Sequence, residues 1–190
     1  MSMPIHRPPA PPQAGLLRTL SARFDLQALA PPLPLAEPAL QAAQAHAAWP
    51  GLLAWCHQPA HWAVHTLPGD TGLAGEAGAD LAHALCLVVD GSLQLRACRG
   101  AAARLALRLR TKFNDVAVWR PRQPADPWDA GWLRPGSAGL QALARFTPRR
   151  PTLLVAGPAL GRAHQQEAEA LLFARQAQAP QPGRLLVLQA

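Results

Sequence analysis

The C-terminal segment, residues 151–190, constrains the fold most. "PTLLVAG" (151–157) is an apolar run closed by proline and glycine, the mark of a strand buried on both faces. "PALGRAHQQEAEALLFARQAQ" (158–178) reads as a helix with Leu160, Ala163, Ala170, Leu171 and Ala174 on its buried side. "RLLVLQA" (184–190) is a second apolar strand. Strand, helix and strand in this order predict a right-handed βαβ crossover.

Upstream, "ALCLVVDGSLQLRAC" (84–98) consists of two β-rich runs joined by Asp90-Gly91, a strong hairpin signal. Residues 103–111 and 116–120 are expected to form a second hairpin around "KFND", giving an antiparallel meander across 84–120. "GLLAWCH" (51–57) and "HWAVHTL" (61–67) are expected as paired strands. Residues 71–85 fit either a short, glycine-weakened helix or a loop, and 121–151 is mostly loop with one helix at 139–146. The expected class is α+β: a β-meander followed by a βαβ unit, one mixed sheet with helices on at least one face.

The first fifty residues differ. Residues 1–14 are a proline-rich lead expected to lack order. Residues 15–50 read as an amphipathic helical segment with a proline-rich linker: Leu16, Leu20 and Phe24 recur at helical spacing, "APPLPLAEP" breaks the helix, and a second one covers about 38–48. The α+β domain then spans 51–190. The helix at 15–29 is a possible docking element in the helix-in-groove mode.

Charge is the clearest functional signal. The net charge is +7, with 18 basic and 11 acidic residues, and residues 91–122 hold eight of the basic ones against Asp115 alone. The whole excess therefore lies in one segment. The sheet reading puts Leu105, Leu107 and Leu109 on the core face and Arg104, Arg108 and Arg110 on the other, next to Arg96 of the preceding strand. Like charges on neighbouring strands destabilise a sheet, so the cluster asks for an anion. An acidic protein surface or a nucleic acid would supply it, with Arg96, Arg104, Arg108, Arg110, Lys112, Trp119 and Arg120 as contacts. Alternatively the arginines are a wet sheet face, neutralised by carboxylates from 70–80 or 126–129.

Two other groups offer chemistry. "VAGPALGR" places Gly157, Gly161 and Arg162 at a strand-to-helix turn, where free amides favour anions and a phosphorylated ligand. It lacks both the P-loop and the dinucleotide fingerprint, and a plain βα turn is the competing reading. "CHQPAHWAVH" brings Cys56, His57, His61 and His65 close in sequence, and His57, His61 and His65 suit zinc. Pro59 opposes the helix that would align them, and histidines packed beside Trp55 and Trp62 explain the pattern equally.

Three cysteines without CxxC spacing suggest a reducing compartment. No stretch is long and apolar enough to span a bilayer, and the N-terminus lacks a secretory apolar core. The expectation is a cytoplasmic bacterial protein, from a GC-rich genome by its arginine, alanine and proline usage. It acts as a non-catalytic accessory or adaptor protein with no cofactor unless zinc binds. The alternatives are a small enzyme or ligand-binding domain at the turn 157–162, and a metal protein at 56–65.

Overall fold

The computed structural model describes residues 28–58, 60, 62–68, 75–116, 126–146, 148, 150–175 and 181–189, and only the backbone of Lys112, Asn114, Asp115, Val116 and Arg175. Its centre is a mixed five-stranded sheet: β1 (Leu29–Ala30), β2 (Trp62–Leu67), β3 (Asp129–Leu133), β4 (Thr152–Ala156) and β5 (Gly183–Leu188), in the order β1-β3-β4-β5-β2. Only β1 runs antiparallel, against β3. The class is α+β, as the composition of elements implied.

Helices cover both faces. The apolar runs of β4 and β5 divide by alternation, which explains why neither strand shows a polar side. Leu153, Val155, Leu186 and Leu188 pack against α1 (Glu37–Ala45), α2 (Trp49–Cys56) and α3 (Glu76–Val89). Leu154, Ala156, Leu185 and Val187 pack against α6 (Ser137–Arg145) and α7 (Arg162–Arg175). In chain order α4 (Ser92–Ala97) and α5 (Ala101–Val116) follow α3, and a 3-10 turn (Pro158–Leu160) precedes α7. Residues 28–50 contribute β1, Leu40, Ala43 and Trp49 to this same body. The segment 15–27 lies outside the described residues.

The C-terminal unit forms as expected: β4 and β5 are adjacent and parallel, joined through α7. Its buried side is rotated, however. Ala168, Leu172 and Gln165 face inward, while Ala163, Ala170 and Ala174 are exposed. Alanine suits either side of a helix, so it could not fix the face.

The meander is absent. Residues 84–98 belong to α3 and α4, and 103–116 to α5; 117–120 lie outside the described residues. Asp90-Gly91 does make a turn, but between helices. Gly91 adopts φ +79° just past the end of α3, and Asp90 accepts bonds from the Ser92 amide (2.7 Å) and hydroxyl (2.9 Å). A left-handed glycine ends a helix as readily as it turns a hairpin. A Cβ at Gly91 would also lie 3.1 Å from Pro127, so space as well as conformation requires glycine there.

"GLLAWCH" is likewise helical, in α2, with Leu52, Trp55 and Cys56 buried. "HWAVHTL" does supply a strand, though β2 pairs with β5, where the Trp62 indole fills the space beside Gly183. Residues 129–133, expected as loop, form β3.

Candidate docking surface and ligand crevice

The basic residues expected on a sheet face stand on helices. Arg96 lies in α4, and Arg104, Arg108 and Arg110 lie in α5, all exposed. Lys112 is in α5 by its backbone, and Trp119 and Arg120 are outside the described residues. On a helix of about 100° per residue, Arg104 and Arg108 share one side, whereas Arg110 falls well away from them. The structure therefore does not bring all three together.

Arg110 instead fixes the helix to the body. Its guanidinium stands 3.7 Å from the carboxylate of Asp126, which is buried. Neighbouring Asp129 is taken by Arg150 at 3.6 Å. Thus part of the charge is neutralised from within the chain, and the two carboxylates face arginines. Leu107 and Thr111 are half-buried and define the inner side of α5, where the Thr111 hydroxyl donates to the Leu107 carbonyl at 2.9 Å.

Opposite that inner side runs an apolar stripe. Leu105, Leu109 and Phe113 are 57%, 60% and 59% exposed. They recur at i, i+4 and i+8, so they form one line on the helix surface, with Ala102 and Ala106 exposed beside them. Arg104 and Arg108 border the line. A shallow cavity of about 340 Å³ at the start of α5 is lined by Gly100, Ala101, Arg104, Leu105 and Arg108. The stripe is the feature that sequence reasoning missed. Its spacing was visible, but the period-2 alternation of the same leucines assigned them to a core.

A second concavity sits at the carboxyl ends of the parallel strands. It lies where the chain leaves β4 for α7 and where β5 ends beside it. Pro158, Arg162, Gln165 and Gln189 line a volume of about 240 Å³ there. Gln165 is buried and its amide nitrogen donates to the carbonyls of Gly157 (3.0 Å) and Leu188 (3.2 Å), tying α7 to both strand ends. Gly157 passes closely under Trp132, and Gly161 takes φ +74° to turn the chain into α7. Of the expected turn residues, Arg162 reaches the crevice, while the glycines shape the backbone around it.

The histidine group is differently placed. His57 ends α2 and meets Trp128 edge-on at 6.2 Å; His65 lies in β2 against Trp55 at 5.4 Å, and burial pulls its pKa below 6.5. His61 is outside the described residues. Burial pushes the Cys56 thiol up to about 12, which holds it protonated, whereas a metal takes the thiolate. Among the described residues no group of three His, Cys, Asp or Glu side chains is placed to hold a metal.

What organises the amino-terminal end of β5 is Arg184, a residue without any local sequence signal. It is buried in β5, donates to the carbonyls of Trp55 (3.2 Å), Ala60 (3.0 Å), Gly183 (2.7 Å) and Gln58, and lies 5.9 Å from the centre of a Trp128 ring. It pins the turn after α2 to the sheet.

Among the described residues no helix is long and apolar enough to cross a membrane. No protein-family model, curated protein or solved structure matches the chain, so a functional reading rests on the geometry of these sites.

Proposed function

We propose that the protein is a non-catalytic accessory or adaptor protein that docks on an anionic partner through α5. The observation that carries this is the exposed Leu105–Leu109–Phe113 line with Arg104 and Arg108 along its edge. Exposed large apolar side chains arranged contiguously mark interaction surfaces. The adjoining guanidinium groups select for negative charge. The free cysteines Cys56, Cys86 and Cys98 are consistent with work in a reducing compartment such as bacterial cytoplasm.

The test is retention of partners by the tagged full chain at low and high salt, with Arg104→Gln/Arg108→Gln alongside. A partner held at low salt and lost both in high salt and in the variant is the expected result. Equal retention by wild type and variant would move the interface away from α5.

A second reading is favoured by the crevice at the strand ends: a small phosphorylated ligand held by Arg162, with Gln165 and Gln189 beside it. It is supported by the position at the carboxyl ends of β4 and β5 and by the size of the cavity. Stabilisation of the fold by inorganic phosphate or nucleotides, abolished in Arg162→Gln, would support it.

A further inference from the structure

We infer that the anionic partner of α5 is a lipid surface: Leu105, Leu109 and Phe113 enter the apolar boundary of an anionic bilayer while Arg104 and Arg108 hold its headgroup phosphates. This rests on the docking reading above and adds the chemistry of the partner.

Three features of the helix lead there. First, the stripe is a ridge. The inner side of α5 is set by Leu107, Thr111 and the Arg110–Asp126 pair, and the stripe lies opposite, on the exposed side of the helix. A protein partner that receives a helix offers a shaped groove, whereas a bilayer accepts any ridge of suitable chemistry. Second, the division of residues is that of an interfacial helix, with Leu and Phe on one arc, arginine at its border and few apolar residues elsewhere. Its sixteen residues give a length of about 24 Å, laid in the membrane plane. Arginines at the edge of such an arc keep their heads at the phosphates while their stems cover apolar surface.

Third, the cavity at the start of α5 joins both kinds of lining. Arg104 and Arg108 stand on it together with Leu105, Ala101 and Gly100. A phosphate head beside an acyl chain matches that pairing. Arg96 and Arg99 are exposed just before α5 and extend the positive approach.

Occupants from the chain itself fit less well. A second copy would set arginine against arginine across the stripe. The segment 15–27, with Arg18 and Arg23 against Asp25, also brings net positive charge.

Vesicle co-sedimentation of the full chain tests this, comparing phosphatidylcholine alone with phosphatidylcholine containing about a third phosphatidylglycerol. The expected result is binding at least about tenfold tighter to the anionic vesicles. Both Leu105→Gln/Leu109→Gln/Phe113→Gln and Arg104→Gln/Arg108→Gln are expected to lose about tenfold or more, with melting temperatures unchanged because every site is exposed. Polyglutamate beads provide the second probe. Retention on them that depends on Arg104 and Arg108, without any preference for anionic vesicles, would overturn the lipid assignment and leave the docking reading standing. Binding to neither probe would overturn both. Anionic-vesicle binding that is untouched by the triple glutamine variant would show that the stripe does not insert, and would also overturn the assignment.

Discussion

Helices α3 and α5 are both rich in leucine and alanine, and both include sequence that reads as β-structure (84–89 in α3, 103–111 in α5), yet their surroundings are opposite. In α3, Leu81, Ala82, Ala84, Leu85, Cys86, Leu87 and Val89 are buried against the sheet and its neighbouring helices. In α5 none of the described side chains is buried, and its apolar stripe faces outward. The separating feature is charge placement. The buried helix carries Glu76, Asp80 and His83 and no lysine or arginine, whereas α5 carries four cations that cannot be enclosed without partners. The apolar line of α5 is thus exposed, beside charges that oppose its burial in the core, and on that ground we propose a partner for it.

The largest expected contrast is in stability. Leu85→Ala removes a fully buried side chain from α3 and is expected to cost about 3 kcal/mol, with a residual cavity under the sheet. Leu109→Ala in α5 is expected to change stability by less than about 0.5 kcal/mol, because that side chain is in solvent. Urea unfolding of both variants measures this. Equal losses would mean that α5 is packed against the body.

Next come the glycines that introduce α4 and α5. Gly91 and Gly100 both have positive φ, +79° and +92°. An added Cβ meets Pro127 at Gly91 and open space at Gly100. Gly91→Ala is therefore expected to cost about 2–3 kcal/mol, strain plus crowding, and Gly100→Ala about 1 kcal/mol from strain alone. The same unfolding experiment ranks them, and a reversed order would break the account of the α3–α4 turn.

These elements also show where the sequence was readable. The βαβ unit at 151–190 was legible because two short apolar runs, bounded by proline and glycine, flank a helix-length segment. The interior of 84–116 was not. "LCLVV" suits a buried strand and a buried helix equally, since periodicity alone does not separate them. In "RLALRLR" the leucines satisfy period 2, while Leu105, Leu109 and Phe113 satisfy the helical repeat. The preceding Ala101–Ala103 run and the scarcity of β-branched residues decide for helix. The excess of cations in 91–122 was visible at once, but its geometry was not, because strand and helix distribute the same arginines differently. Arg184 and β3 had no local signal: a lone cation in an apolar run and a five-residue strand containing glycine depend on tertiary partners.

The smallest effect concerns pH. His83 on α3 is half-buried, and its Nδ1 accepts from the Leu33 amide (3.1 Å) and the Trp132 indole N–H (2.9 Å). The ring proton is therefore on Nε2, and protonating Nδ1 breaks both bonds. Burial lowers the pKa of His83 below 6.5, with Asp80 opposing. A base held neutral in the native state contributes stability that is present above its ordinary value and lost as pH falls below it. Stability should thus decline below about pH 6.5, and His83→Gln should flatten part of that slope, leaving the contribution of His65, which burial also lowers. An unchanged slope in His83→Gln would remove His83 as a link between α3, β3 and the 31–36 segment. No such dependence is expected from α5, which has no histidine.

The most direct test of the central claim is thiol reactivity along α5. Single cysteines would be placed at 105, 107, 109, 111 and 113 in a Cys98→Ser chain whose Cys56 and Cys86 are buried. Reactivity is expected to follow the helical repeat, with 105, 109 and 113 fast and 107 and 111 slow. A period of two, with 105, 107 and 109 protected alike, would restore the sheet face and contradict the docking helix.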